Sequence, residues 1–361
     1  MPIRTPALPT LAACALALAA CSPAPTPANS SPAAAAGDGT VRVEDVRAAL
    51  TALAADSMEG RRTGTPGSAR AARFIAERLR AAGVEPLGDD GFFQRVPMVA
   101  MPPRAAGGTP RLRLQGPGDA DSVPAGRRVQ DVNVVGIIRG SDPALREEAV
   151  VVGAHFDHLG VGRAVDGDSI YNGADDDGSG TVAVLEIARA LMAGPRPKRS
   201  VVLLLTTGEE NGFTGIRWYV QNPRIPLQRT VADIQIEMIG RPDSLAGGHG
   251  RAWLTGYERS TMGEMLRASG NPIVPDPRPT QNFFERSDNV VFAWEGVPAH
   301  TLSSYGLHRD YHTPQDEVDR VDFEHMTSVI DAGLRAVRML ADGPAPRWNP
   351  GGRPERPAGV R

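Results

Sequence analysis

An α/β fold, with a mixed, mostly parallel central sheet and helices on both faces, is predicted by three features of this sequence. Apolar, largely β-branched runs stand at 132–138 (VNVVGII), 149–154 (AVVVGA), 201–207 (VVLLLTT) and 232–238. Helical stretches at 179–193 and 212–222 separate the later ones, and such continuous runs mark strands buried on both faces of a parallel sheet. Between two chain ends poor in large apolar groups lie about 300 residues, enough for one large domain.

The first residues read as an export signal. Arg4 supplies a positive start, and the apolar run 7–20 is too short to span a bilayer. Leu18-Ala19-Ala20-Cys21 reads as a bacterial lipobox; LAAC also occurs at 11–14, where cleavage would leave almost no hydrophobic segment. The expectation is a lipoprotein-type signal peptide over 1–20, with a lipid on Cys21 as the only link to a membrane. That implies the periplasmic side of a bacterial cell envelope; an ordinary secretory signal cut nearby would instead release a soluble periplasmic or secreted protein. The two cysteines are Cys14 and Cys21, so the exported chain has no disulfide and depends on its core and any bound metal. Residues 21–40 predict a disordered tether, 41–343 the folded domain and 344–361 a disordered tail. A net charge of −3 implies no nucleic-acid partner.

Within the domain, 42–56 and 68–82 read as helices. The second has Ser68 as candidate N-cap, Phe74, Ile75 and Leu79 on one face, and Gly83 at its stop. Residues 90–130 predict short strands and loops. Further strands are expected at 251–255 and 297–302, with helices at 258–269 and 322–341.

Chemistry-bearing residues fall where the predicted strands end. His155 follows 149–154, Glu209 and Glu210 follow 201–207, and Glu237 closes 232–238. Open α/β sheets gather ligands at the carboxyl ends of their strands. His155 and Asp157, two apart on an extended segment, project to one side, so Asp157 can orient a metal-bound ring. Asp175-Asp176-Asp177-Gly178-Ser179-Gly180 crowds three carboxylates into a turn entering a helix, a repulsion that divalent cations remove. One carboxylate can bridge two ions, a part assigned to Asp176; a solvated turn with Asp177 or Ser179 as helix cap is the common alternative. Of Glu209 and Glu210, one can ligate and the other accept a proton from water. Glu237, between Ile236 and Met238, is costly unless partnered. His312, in YHTPQDE at 311–317, completes a set of His155, Asp176, Glu210, Glu237 and His312, with Glu209 as base. Nitrogen and carboxylate donors suit zinc.

These words (VVVGAHFDHLG, YNGADDDGSG, LLLTTGEENG, IQIEMIGR and YHTPQDE), together with DSMEGRRTGTPGSARAARFIAERLRAAGVEPLGDDGFFQ at 56–94, resemble the M28 metallopeptidases. That group includes zinc aminopeptidases, glutaminyl cyclases and glutamate carboxypeptidases, and the likeness is strongest to the bacterial exported aminopeptidase branch. The resemblance implies a co-catalytic pair of Zn2+, with Co2+ or Mn2+ as possible substitutes. His155, Asp176 and Glu237 would hold one ion and Asp176, Glu210 and His312 the other. Glu209 falls on the general base and Asp157 on the acid behind the histidine. Well-known members carry Asp where this chain has Glu237, a longer arm of the same charge. Ser287-Asp288-Asn289 resembles a family stretch usually ending in His; helix capping by Ser287 or Asp288 is the simpler expectation.

The implied reaction is removal of N-terminal residues from peptides with a free N-terminus. Rivals on the same scaffold are glutaminyl cyclisation with one zinc, and dipeptidase or carboxypeptidase action with Arg286 or Arg309 as carboxylate anchor. A metal-free binding protein is the alternative from another class. Phe283, Phe284, Trp294, Tyr305 and Tyr257 are candidate pocket walls, and His158 and His308 lie near the ligands with no assigned part.

Overall fold

The computed structural model describes residues 1–3, 39–103 and 109–357. The chain divides into Met1–Ala35 and Ala36–Arg361, and the fold below is that of the second unit. The export signal, the lipid site at Cys21 and nearly all of the tether lie outside the described residues.

Helix α1 (Val43–Leu53), a 3-10 turn (Asp56–Arg61) and α2 (Pro66–Ala81) lead into β1 (Glu85–Pro86), β2 (Phe93–Met101) and β3 (Arg111–Leu114). A single turn, α3 (Asp119–Ser122), precedes β4 (Arg128–Ile138), β5 (Ala149–His155) and the hairpin β6 (Gly160–Val165) and β7 (Asp168–Tyr171). Then come α4 (Gly180–Ala193), β8 (Ser200–Thr206), α5 (Thr214–Gln221), β9 (Thr230–Ile236) and β10 (Ala252–Leu254). The chain closes with α6 (Met262–Ala268), β11 (Ile273–Pro275), α7 (Asn289–Trp294), β12 (Ala299–Ser303) and α8 (Phe323–Asp342).

Among the described residues ten strands form one sheet in the order β11-β10-β12-β9-β5-β8-β4-β2-β3, with β1 beside β4. Its centre, β12-β9-β5-β8, is parallel, and β4, β2 and β3 continue it antiparallel. This is the mixed sheet that the apolar runs predict. Every residue of β5 and β8 is buried, because alternate side chains enter two different cores. Val150, Val152, Leu203 and Leu205 pack with α1, α2, α4 and α8, while Val151, Val202 and Leu204 pack with α5 and α7. Each such aliphatic side chain contributes about 1.5–3 kcal/mol by leaving water.

Local chemistry shifts some boundaries. Thr65, not Ser68, caps α2: its hydroxyl accepts the Ser68 N–H at 3.4 Å, and Pro66 stands in the first turn with its φ already fixed. The Ser68 hydroxyl instead donates to Asp131 at 2.7 Å. The expectation of a disordered tail is corrected over 344–357. Trp348 bridges Ser260 and donates its indole N–H to the Gly296 carbonyl at 2.9 Å, and Arg353 donates to the Trp294 carbonyl at 2.6 Å. A proline- and glycine-rich stretch is held here by one aromatic anchor and side-chain bonds to backbone, which no hydrophobic periodicity announces. Among the described residues no helix is long and apolar enough to cross a membrane.

Candidate metal centre

Parallel pairing brings the carboxyl ends of β5, β8, β9 and β12 to one rim; His155 lies level with Thr206, and Leu302 with Ile236. Into this rim the acidic turn inserts from the start of α4. Gly180 makes the approach possible, since a Cβ there would stand 1.9 Å from the Ile236 carbonyl oxygen. The peptide bond between Asp176 and Asp177 is cis.

The three aspartates are buried, not solvated, and each has a separate task. Asp175 accepts the Gly240 N–H at 2.7 Å and faces His308 Nε2 at 3.0 Å. Asp177 accepts the N–H groups of Gly180 at 2.9 Å and Met238 at 3.2 Å, tying the helix start to the end of β9. Asp176 alone turns to the rim. Its Oδ1 lies 3.3 Å from His155 Nε2, and its Oδ2 3.1 Å from His312 Nε2. Two donor groups share it: His155, Asp176 and Glu237 in one, His158, Asp176, Glu210 and His312 in the other, with the donor atoms of each within 4.8 Å of one another. The five residues expected as ligands therefore converge, and His158, unassigned from the sequence, joins them.

Residues around the cluster fix its geometry. His155 Nδ1 lies 3.1 Å from the backbone oxygen of Asp157 and 3.7 Å from its carboxylate, so the main chain is the nearer orienting partner. The Asp157 carboxylate accepts instead from the Thr63 hydroxyl at 2.8 Å and the Glu209 N–H at 3.1 Å. Asp316, from the same loop as His312, accepts the N–H groups of Asp175 at 3.1 Å and Asp176 at 2.9 Å. Buried Arg61 donates to the carbonyls of Leu53, Phe156, Asn172 and Gly173, joining the segments that carry His155 and Asp176. Sequence reasoning missed Asp316 and Arg61; the only signal for either was an ionic residue inside a word already picked out for its neighbours. The capping expectation for Ser287 and Asp288 is corrected. Asp288 precedes α7 without capping it and accepts from the Thr206 hydroxyl at 2.5 Å, while the Ser287 side chain bonds Glu237. Both side chains are taken up by Thr206 and Glu237, which leaves the start of this helix of one and a half turns without a side-chain cap.

Electrostatically, the rim holds more acid than it can neutralise. Burial drives Glu209 well above the usual carboxylate range, with Glu210 and Glu237 adding to the shift against His155. Burial likewise pushes Glu237 and Asp288 up to about 7. Burial works against a charged His312, but Asp176 and Glu210 outweigh it and raise that ring to about 10. His155 Nε2, both nitrogens of His158 and Glu210 Oε1 are buried without a hydrogen-bond partner. Unpaired buried atoms in two nitrogen and carboxylate groups that share Asp176 fit divalent cations of the zinc type.

Two openings border the cluster. A narrow pocket beside Glu237 is walled by Trp253, Phe283, Tyr305 and Tyr311, with Arg286 at its edge. On the other side Glu210, His158 and His312 border a wider cleft with Arg62, Arg163 and Tyr171. Of the expected walls, Phe283 and Tyr305 line the pocket. Phe284 and Tyr257 pack into the cores, and Trp294 borders a separate hollow with Arg356. Arg309 is 97% exposed and lies beside Asp310.

The model of peptidase family M28 matches residues 133–337. The chain is 28% identical over 199 residues to the vacuolar membrane protease of Sclerotinia sclerotiorum, covering 53% of this chain and 16% of that one. It thus spans about a fifth or less of the length of the curated relatives it matches. Its fold is similar to an aminopeptidase from Aneurinibacillus sp. strain AM-1 (TM-score 0.61, 16% identity, 89% of this chain and 99% of that one). It is also similar to the zinc aminopeptidase BSAP from Bacillus subtilis (0.61, 14%, 84% and 96%) and to glutaminyl cyclase from Porphyromonas gingivalis (0.56, 16%, 83% and 99%). One expectation is corrected by the curated sequence relatives. These are fungal proteins named for a vacuolar membrane, which contradicts a bacterial cell-envelope location.

Proposed function

Because the chain belongs to peptidase family M28, we propose that it is a metal-dependent peptide hydrolase that removes N-terminal residues from peptides. The observation that carries the reading is Asp176, whose two oxygens face two separate donor groups. His155, Asp176 and Glu237 would hold one zinc ion, and Asp176, Glu210 and His312 the other. When bound, the ions would supply Lewis acidity for the scissile carbonyl and lower the pKa of an attacking water.

The protein's own residues do the rest. Glu209 takes the proton of the attacking water and returns it to the leaving amine; a buried carboxyl with raised proton affinity suits both transfers. Asp157 steadies that base through the Glu209 N–H. The pocket beside Glu237 is walled by four aromatic rings, which suit the side chain of an apolar first residue, and the acid-rich rim beside it favours a free α-ammonium. Both features favour cleavage at the first residue. Hydrolysis of amino-acid anilides, abolished by chelator and restored by zinc, with no cleavage of N-blocked peptides, is the expected result. Cleavage of the blocked peptides alone would overturn it.

A second reading, dipeptidase or carboxypeptidase action, is favoured by Arg286 at the pocket edge, its guanidinium 4.9 Å from the Phe283 ring. Under that reading Arg286→Ala raises KM only for substrates with a free carboxylate.

A further inference from the structure

His158 stands three residues after His155, and neither the strand pattern nor the reaction proposed above uses it. Its side chain is fully buried, and both ring nitrogens lack a hydrogen-bond partner. Nδ1 lies 3.0 Å from Glu210 Oε1 and 3.7 Å from Asp176 Oδ2. Those are the same two oxygens that His312 Nε2 approaches, at 3.2 Å and 3.1 Å. The two imidazoles thus meet one pair of carboxylate oxygens from different sides, their rings edge to face at 5.6 Å. Donors about 2.0–2.1 Å from a tetrahedral zinc stand about 3.4 Å from one another. The four separations bracket that spacing.

The seat of the ring is built for it. Gly173 has φ +56°, and a Cβ there would lie 2.5 Å from His158 Cγ. Arg61 holds the same glycine by its carbonyl at 2.8 Å. Only a residue without a side chain leaves His158 its place, and that place points the ring at Glu210 and Asp176.

We infer that His158 is a fourth protein ligand of the metal held by Asp176, Glu210 and His312, and that the two metal sites are therefore unequal. The inference rests on the two-metal reading above. A site with four protein donors is of the closed kind that retains its ion, whereas three donors leave a position open for water or substrate. The ion at His158 is then the permanent one, and the ion at His155 and Glu237 exchanges.

Metal content of the full chain, by atomic spectrometry after dialysis against a weak chelator, tests this. The wild type saturates at two zinc ions per chain and keeps one after dialysis. His158→Ala and the bulkier His158→Gln keep none, with affinity reduced beyond the about 10–100-fold that loss of an outer-sphere partner costs. In Co2+-substituted protein the visible absorption bands change in His158→Gly and return toward wild type with added imidazole. Saturation at two ions and retention of one after dialysis, as in the wild type, with an unchanged cobalt spectrum in folded His158→Gln overturn the ligand assignment. So does weaker binding with an unchanged spectrum and no rescue by imidazole, since His158 would then only orient Glu210. A wild type that saturates below two ions instead refutes the two-metal reading itself.

Discussion

The carboxylate of Asp157 accepts the backbone N–H of Glu209 at 3.1 Å, so the residue next but one to His155 anchors the proposed base. Its other oxygen takes the Thr63 hydroxyl at 2.8 Å, which fixes the carboxylate plane. Asp157→Ala removes both bonds and frees the Glu209 turn, whereas Asp157→Asn keeps an oxygen to accept the N–H. Loss of about 10–100-fold in kcat is expected for Ala, with metal content nearly unchanged, and a much smaller loss for Asn. Equal rates in the two variants would show that the bond to Glu209 has no part in catalysis.

Glu209→Gln tests the base itself. Glutamine fills the same space without accepting a proton at neutral pH, so turnover falls by about 10²–10⁴-fold. Zinc stoichiometry stays at the wild-type value, because Glu209 stands outside both donor groups. A variant that turns over at close to the wild-type rate removes Glu209 from the mechanism.

Metal removal couples to pH with a definite sign. In the metal-free protein burial raises Glu237 from 4.5 to about 7. The folded state therefore binds more protons than the unfolded one between those values, and its stability falls as pH rises through that window. One such group corresponds to about 3 kcal/mol. Bound cations relieve the penalty. The rise in Tm on adding zinc to metal-free protein is expected to be larger at pH 8 than at pH 5.5, measured by calorimetry at fixed zinc. An increment that is constant or larger at the lower pH contradicts this charge balance.

Legibility in the sequence follows the source of each residue's role. Strands β5 and β8 are readable because both faces are buried, so AVVVGA and VVLLLTT are apolar throughout. Strands β2 and β3 are not: both are only partly buried, and the first carries Pro97, a residue that argues against a strand. His155, Glu210 and Glu237 are legible because an ionisable donor at the end of a buried strand is costly unless it binds something. Asp316 and Arg61 act on backbone groups far away in sequence, which carry no side-chain signature of the contact. His158 is visible in the word HFDHLG, but only the fold shows that Glu210 meets it.

Asp316 sets the acidic turn by accepting main-chain N–H groups from both Asp175 and Asp176, and it is buried. Asp316→Ala leaves those donors unpaired in the interior. A loss of about 1.5–3 kcal/mol is expected in unfolding free energy from denaturant titration, together with weaker metal retention, because Asp176 loses its fixed direction. Unchanged stability with full zinc content would mean that the turn holds its shape without Asp316.

Arg61 offers the most demanding test of how the rim is assembled. Its guanidinium spans four carbonyls: Leu53 at the end of α1, Phe156 after His155, and Asn172 and Gly173 before the acidic turn. Burial lowers its pKa, against the pull of Asp316, Asp177 and Asp176, so the fork is held by those acids as well as by the carbonyls. A lysine keeps the charge but offers one compact ammonium in place of a planar fork, and it cannot reach all three segments at once. Arg61→Lys is therefore expected to lose about 3 kcal/mol or more in urea, because several buried carbonyls go unpaired. Excess zinc recovers only part of that loss, since the ions hold His155 and Asp176 together but not Leu53. Were the lysine variant as stable as the wild type, the rim would owe its alignment to the strands alone.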